Sequence, residues 1–177
     1  MKIEKSAVTK MLITEVDRLD PITIYAENYV LGKGKITIEC YGKSWSSYWG
    51  AMGEMGDRTI EKFFSGCDPH YIAGNLSRIP SEITNGEIIR DAAFREIISM
   101  RRKRDLNQDS ARELWDKVDS ASFSDDGWHP LNLMQEIFGD EWWYRLPTKP
   151  NPDYQYLCRI IVAVQEAFRL DALPIPT

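Results

Sequence analysis

The sequence is poor in the side chains that bind transition metals or build disulfide frameworks. It has only two histidines, His70 and His129, and three cysteines that lie far apart along the chain, at Cys40, Cys67 and Cys158. A zinc site needs about four nitrogen or sulfur ligands at suitable spacing, so we expect neither a metal nor another cofactor. An odd number of isolated cysteines is typical of reduced thiols and favours a cytoplasmic protein.

Long apolar runs are also missing. No segment approaches the roughly 20 apolar residues that cross a bilayer, and residues 1–6 lack the apolar region of a signal peptide. The sequence therefore predicts a chain that is not exported by that route and that has no membrane partner.

Signatures of catalysis are absent as well. None of the motifs G-x-S-x-G, H-E-x-x-H, G-x-x-x-x-G-K-[ST] and G-x-G-x-x-G occurs. The acidic pairs Asp125-Asp126 and Asp140-Glu141 carry oxygen atoms that divalent cations use, but such pairs are more often solvated surface. We therefore expect a non-enzymatic protein with no catalytic residues, and an enzyme of a kind that these motifs do not reveal stays an alternative.

The composition is that of a folded protein. Of the 177 residues, 43% are hydrophobic and 28% are charged, a balance that supplies a core without help from metals or disulfides. We predict a single α+β domain over residues 1–177, with a strand-rich part at 1–53 and a helical part at 57–177.

The strand-rich part predicts an antiparallel β-hairpin or meander of about three strands. Residues 10–16 and 22–31 are rich in β-forming side chains, and residues 35–41 alternate apolar with polar. A glycine-bearing turn at 32–34 joins the last two runs.

The segment at residues 43–53 fits two structures. A continued strand places Trp45, Ser47 and Trp49 on one face, whereas a helical turn brings Trp45, Tyr48 and Trp49 together.

The second part predicts five to six α-helices packed with these strands. They lie at about residues 58–64, 69–76, 86–104, 110–118, 131–138 and 153–170. Residues that cap helix N-termini precede three of them, namely Asp68, Asn85 and either Asp109 or Ser110. Three prolines in the connection at 146–152 predict an irregular, stiff linker.

A basic run closes the predicted long helix. It consists of Arg101, Arg102, Lys103 and Arg104. Cations at this place suit the negative end of the helix dipole, and this interpretation is favoured because the run has no neighbouring aromatic platform for bases. The alternative is nucleic-acid binding by this run together with Trp45, Tyr48 and Trp49, although a net charge of −5 opposes attraction to polyphosphate.

The sequence downstream of the basic run is acidic and carries clustered aromatic residues. The candidate partner-binding residues are Asp125, Asp126, Asp140, Glu141, Trp142, Trp143 and Tyr144. Trp and Tyr dominate the energetics of protein interfaces, and an acidic surface complements a basic site on another protein. The alternative is that Trp142 and Trp143 close the hydrophobic core.

Two stretches of the chain carry a resemblance. They are ITIECYGKSWSSYWGAMG at residues 36–53 and RTIEKFF at residues 58–64. These stretches resemble a segment found in accessory proteins of tailed phages and prophages of enterobacteria. The resemblance covers roughly the first half of the chain, implies a genomic setting and carries over no functional residue.

Small phage accessory proteins often bind and block a host factor, such as a component of restriction or CRISPR defence. The resemblance and the acidic, aromatic second half together favour a phage protein that binds and modulates a defence-related protein in the cytoplasm of a host bacterium, as an anti-CRISPR or anti-restriction candidate. The alternative is a nucleic-acid-associated accessory protein of phage replication or recombination.

Overall fold

The computed structural model describes residues 2–3, 5–50, 53–123 and 130–172, and it divides the chain into two compact units. The first unit comprises Met1–Ile79 and Pro152–Thr177, and the second comprises Pro80–Asn151. Each unit has its own hydrophobic core. Strands and helices both occur, which confirms the α+β class. That the whole chain is one domain stays a prediction.

The first unit is built on a four-stranded antiparallel sheet in the order β1-β2-β3-β4. Its strands are β1 (Thr9–Ile13), β2 (Ile22–Val30), β3 (Lys33–Cys40) and β4 (Lys43–Trp49). The predicted meander of about three strands is therefore confirmed, with β4 as an additional strand. The segment that fitted two structures is a strand over most of its length.

Alternation of apolar and polar residues decides which face of the sheet is buried. Successive side chains of a strand point to opposite faces, and β2 buries Ile22, Ile24 and Ala26 on the same face as Ile36 and Ile38 of β3. Ile24 lies opposite Ile38 and Ala26 lies opposite Ile36 in the register of the two strands. These cross-strand apolar pairs form the sheet side of the hydrophobic core of the first unit.

A two-residue turn connects β3 to β4. Tyr41 and Gly42 both have positive φ, at 48° and 69°, which is the backbone of the type I′ turns that match the twist of antiparallel strands.

Helices make up most of the remaining chain. Within the described residues they are α1 (Ile60–Gly66), α2 (Pro69–Leu76), α3 (Gly86–Lys103), α4 (Gln108–Ser120), α5 (Leu131–Phe138) and α6 (Pro152–Asp171). This agrees with the predicted five to six helices. None of the helices in the described ranges combines the length and the apolar character that crossing a bilayer requires.

Helices α1, α2 and α6 complete the first unit over the sheet. Helix α1 lies against β2 and β3, and both α1 and α2 contact α6. Gly34 permits this packing, because a Cβ atom there would lie 2.8 Å from the Cβ of Ile60 and 2.9 Å from the carbonyl oxygen of Glu27.

The capping predictions are confirmed for two helices and wrong for a third. The side chains of Asp68 and Asn85 accept backbone N–H bonds at the starts of α2 and α3. Helix α4 is capped by Asn107, which accepts from the N–H of Ser110, and not by Asp109 or Ser110 themselves. Asn is as good an N-cap as Asp or Ser, and the earlier start leaves Asp109 in the first turn, where its charge suits the helix dipole.

The proline-containing connection was predicted to be irregular, and this is wrong for two of its residues. Lys149–Pro150 forms a short strand β6 that pairs antiparallel with β5 (Glu82–Ile83). A two-stranded ribbon has only edge strands, where proline is tolerated because one side of each strand needs no ladder donor. Asn151 continues the contact, since its backbone N–H donates to the carbonyl of Ser81 at 2.9 Å.

Helices α3, α4 and α5 form the core of the second unit. Its buried residues are Ile89, Ala93, Ile97, Leu114, Val118, Leu133, Met134, Ile137 and Phe138. Ile89, Ala93 and Ile97 of α3 recur at a spacing of four residues and so lie on one face of the helix. Gly139 ends α5 with a φ of 86°.

Candidate functional site

The predicted aromatic site forms a compact turn directly after α5. We call residues 140–145 the aromatic segment; within it Trp142–Tyr144 form one turn of 3-10 helix. The N–H of Trp142 donates to the carbonyl of Gly139 at 3.2 Å, and the N–H of Arg145 donates to the carbonyl of Trp142 at 3.0 Å. The backbone of the segment is therefore held by local hydrogen bonds.

The three aromatic side chains differ in their exposure to solvent. Trp142 is half-buried and packs against the core of the second unit, whereas Trp143 is 53% exposed and Tyr144 is 79% exposed. The alternative in which both tryptophans close the core therefore fits Trp142 and not Trp143. One ring anchors the segment while the next two face solvent.

The exposed rings are arranged side by side. The ring of Trp143 lies 5.9 Å from that of Trp142 in an edge-on arrangement and 5.8 Å from that of Tyr144. Aromatic pairs at such distances contribute attraction beyond their buried area. The rings therefore support one another's orientation.

Arg145 attaches the end of the segment to two helices. One guanidinium nitrogen, Nη1, donates to the carbonyl of Phe138 at 2.8 Å, and Nη2 donates to the carboxylate of Glu96 at 3.1 Å. The guanidinium also lies 5.9 Å from the centre of the Phe138 ring. These contacts connect the segment to both α5 and α3.

Acidic side chains flank the exposed rings. Asp140 and Glu141 are both exposed at the start of the segment, and Asp140 accepts a hydrogen bond from the side chain of Gln135. The other two predicted acidic residues, Asp125 and Asp126, lie outside the described residues. The geometry joins two solvent-facing aromatic rings to a pair of exposed carboxylates.

The residues of the alternative nucleic-acid site are divided between the two units, with the aromatic residues in the first and the basic residues in the second. Trp49 is 1% exposed and packs on Phe63 and Phe64 in the first core, and Trp45 is half-buried against the same core. Tyr48 points to the opposite face of the sheet and is exposed. A base in solution cannot stack on the buried ring of Trp49.

The basic residues of that site lie in the second unit, at the end of α3. Arg101, Arg102 and Lys103 occupy the last helical turn and Arg104 is the C-cap, with a left-handed φ of 69°. All four side chains are exposed. Their position at the C-terminus of a helix fits the predicted interaction with its dipole.

Sequence reasoning missed a group of polar side chains in the first unit. The Nδ1 atom of His70 lies 3.0 Å from the hydroxyl of Tyr154 and 3.8 Å from the thiol of Cys158. The imidazole and the thiol border a cavity of about 370 Å³. No local signal could have revealed this group, because it joins α2 to a helix from the far end of the chain.

A cysteine beside a histidine has the composition of a nucleophile and its base, but burial of this cysteine works against formation of a thiolate. Burial raises the pKa of the Cys158 thiol, so it favours the protonated form, whereas a reactive cysteine needs a lowered pKa. The imidazole nitrogen nearest the thiol is also shared with Tyr154. We therefore assign this group to the packing of α2 against α6.

Comparison with known proteins identifies the family. A sequence model described as a phage family, Phage_phiTE_072, matches residues 1–170. No curated protein and no solved structure matches the chain. Because the match extends over nearly the whole sequence, this chain belongs to that phage family.

Proposed function

We propose that this phage-family protein acts by binding another protein through the aromatic segment, without catalysing a reaction. The observation that carries the proposal is the exposure of Trp143 and Tyr144 on a backbone turn that is held in place on both sides. Exposed aromatic residues lose little conformational entropy on binding when their backbone is already ordered. The segment therefore has the properties of an interface hot spot.

The charges around the rings indicate the kind of partner. Asp140 and Glu141 border the rings and the whole chain carries a net charge of −5, so a partner with a basic rim around an apolar pocket fits best. A site that holds nucleic acid is basic, so the partner that we propose is a nucleic-acid-binding component of bacterial restriction or CRISPR defence. The proposed place of action is therefore the cytoplasm of the host bacterium, as an accessory protein that modulates a defence component.

Site-directed photo-crosslinking tests the proposal. A photoreactive phenylalanine analogue at position 143, introduced into the full chain and expressed in the host, is expected to form a covalent adduct with one dominant protein. The same analogue at Tyr41 is the matched control, because Tyr41 is 78% exposed and belongs to the first unit. Adducts of the same size and yield from both positions would contradict the proposal.

Substitution provides the second test. Trp143→Ala and Tyr144→Ala are each expected to weaken binding of the crosslinked protein by tenfold or more, the effect typical of truncated hot spots. Their thermal unfolding should match that of the natural protein, because both side chains face solvent. Unchanged affinity in both variants would overturn the proposal.

The nucleic-acid site that the sequence predicted, which combines the basic run at 101–104 with Trp45, Tyr48 and Trp49, receives less support. Its aromatic residues lie in the first core or on the sheet of the first unit, whereas its basic residues end α3. A different aromatic residue lies beside that basic run, and it leads to the following inference.

A further inference from the structure

A basic cleft opens between the last turns of α3 and the first turns of α4. It has a volume of about 750 Å³ and is bordered by the guanidinium-bearing residues Arg101, Arg102 and Arg112, together with Trp115 and Gln108. All of these residues belong to the second unit. Clefts of about 300–1,000 Å³ are the usual size of small-molecule sites.

The charge of this cleft differs from that of the molecule as a whole. Three arginines converge on it, and Asp116 is the acidic residue beside them. In the part of the chain that the structure describes, no carboxylate lies within ion-pair distance of Arg102 or Arg112. Arginines gathered without matching carboxylates attract an anion, and their planar donor groups suit a phosphate.

Trp115 supplies a flat apolar surface next to these charges. Its side chain is 40% exposed, and its ring centroid lies 4.2 Å from that of Phe94, with 33° between the ring planes. The contact with Phe94 supports the indole, while the exposed part of the indole borders the cleft. Ile98, also 40% exposed, adds apolar surface to the same cleft.

The sequence disfavours nucleic-acid binding by the basic run, because no aromatic residue that could stack on a base lies near it in sequence. In the structure, Trp115 borders the same cleft as the basic run. The chain turns after Arg104, and α4 places Trp115 at the same cleft as Arg101 and Arg102. The three aromatic residues that the sequence offered for this role, Trp45, Tyr48 and Trp49, all belong to the first unit, and Trp49 is buried there.

We propose that the basic cleft binds a nucleoside phosphate, either free or as a unit of a single strand. The phosphate contacts Arg101, Arg102 and Arg112, and the base stacks on Trp115. Phosphate oxygens match arginine donors, and stacking on an exposed aromatic ring accepts any base. Asp116, at the side of the cleft, is placed to accept a hydrogen bond from a sugar hydroxyl or an exocyclic amine. This activity is separate from binding by the aromatic segment.

Calorimetric titration of the full chain tests the proposal with three probes: ADP, a ten-nucleotide strand of deoxythymidine and inorganic phosphate, each at about 50 mM salt. We expect saturable binding of ADP or of the oligonucleotide, and weaker binding of inorganic phosphate. Tighter binding of the oligonucleotide than of ADP would identify a strand as the source, and the reverse order would identify a free nucleotide. Binding of a strand should also weaken steeply as salt is raised.

Variants locate the site. Arg102→Ala and Arg112→Ala are each expected to lower the affinity by about tenfold, as loss of a charge-assisted contact does. Trp115→Ala should lower the affinity for ADP and not for inorganic phosphate, whereas Trp115→Phe should restore part of it. Arg95→Ala is the matched control, because Arg95 is exposed on α3 and does not border the cleft.

Three results would overturn the proposal. The first is that neither ADP nor the oligonucleotide binds at millimolar concentration. The second is that ADP and inorganic phosphate bind equally well and Trp115→Ala has no effect. The third is that Arg95→Ala lowers the affinity as much as Arg102→Ala and Arg112→Ala do. Circular dichroism of each variant verifies that α3 and α4 are intact, and Trp115→Phe keeps the test valid if Trp115→Ala fails to fold.

Discussion

Arg145 and Glu96 join the aromatic segment to α3, with 3.1 Å between Nη2 of the guanidinium and Oε1 of the carboxylate. Glu96 is the less exposed partner, with 23% of its side chain accessible against 52% for Arg145. The same guanidinium donates to the carbonyl of Phe138. One side chain therefore holds the segment to two helices.

Loss of this attachment should loosen the aromatic segment. We expect Arg145→Met to lower the free energy of unfolding by about 1 kcal/mol, because the carbonyl of Phe138 loses its donor while the half-exposed ion pair adds little. Chymotrypsin should cleave the variant faster after Trp143 or Tyr144. Urea unfolding and timed proteolysis measure the two effects, with Arg112→Met as the control. A cleavage rate equal to that of the natural protein would show that Arg145 does not hold the segment.

Gln165 stabilises the end of a helix distant in sequence. Its side-chain amide is buried and donates to the carbonyls of Phe64 at 2.9 Å and Cys67 at 2.7 Å, at the C-terminus of α1. Gln165→Leu should therefore cost about 1–3 kcal/mol of stability, since these carbonyls lose a donor in a buried place. Gln155→Leu on the exposed side of α6 is the control and should change stability little. Equal effects of both substitutions in urea unfolding would contradict this role.

Two glycines should respond to alanine in opposite directions. Gly34→Ala places a Cβ atom against Ile60 and Glu27 and should destabilise the first unit by about 1–3 kcal/mol, as overpacking does. Gly74 lies within α2 with open space around it, so Gly74→Ala should stabilise by about 0.5–1 kcal/mol through helix propensity. Thermal unfolding measures both. Unchanged or increased stability in Gly34→Ala would mean that the packing of α1 does not depend on the missing Cβ of Gly34, and destabilisation by Gly74→Ala would contradict the open space around Gly74.

Alkaline pH should weaken the first unit. Hydrogen bonding to Cys40 and burial raise the pKa of Tyr156, and burial raises the pKa of Tyr154 and Cys158. In alkaline solution the folded protein therefore keeps protons on these groups that the unfolded chain has already released. Their full contribution to the free energy of unfolding is present below the ordinary pKa values, and it declines as pH rises beyond about 8.5–10.

The free energy of unfolding, measured between pH 7 and 11, checks the sign of this effect. Tyr156→Phe should make the decline less steep, whereas Tyr41→Phe at an exposed position should not. Stability that rises across this interval would contradict the assignment.

Local signals in the sequence predicted the helices well. Helix α3 begins after Asn85 and ends at Arg104, where the cap and the basic run had placed its limits. Asp68 starts α2 in the same way. Caps and apolar stripes act over one or two turns, so a single sequence contains the information that decides them.

Pairing between segments that are distant in sequence could not be predicted from such local signals. The segment at residues 43–53 fits either a strand or a helical turn. Pairing with β3, which sets Ile38 opposite Trp45, decides for the strand over Lys43–Trp49. The basic cleft was not predicted from the sequence for a related reason. Trp115 and Arg101 border the same cleft only because α4 packs against α3, and local signals in the sequence do not show that packing.

The pairing of β5 with β6 makes the second unit an insertion whose two ends meet. Glu82 lies opposite Pro150, and Asn151 donates to Ser81, so the chain leaves the first unit and returns to it at nearly the same point. A peptide of a few residues would span that gap, at a lower entropic cost of closure than a long unstructured loop would carry. A variant in which such a peptide replaces residues 82–150 would therefore keep the sequence distance between α2 and α6 short.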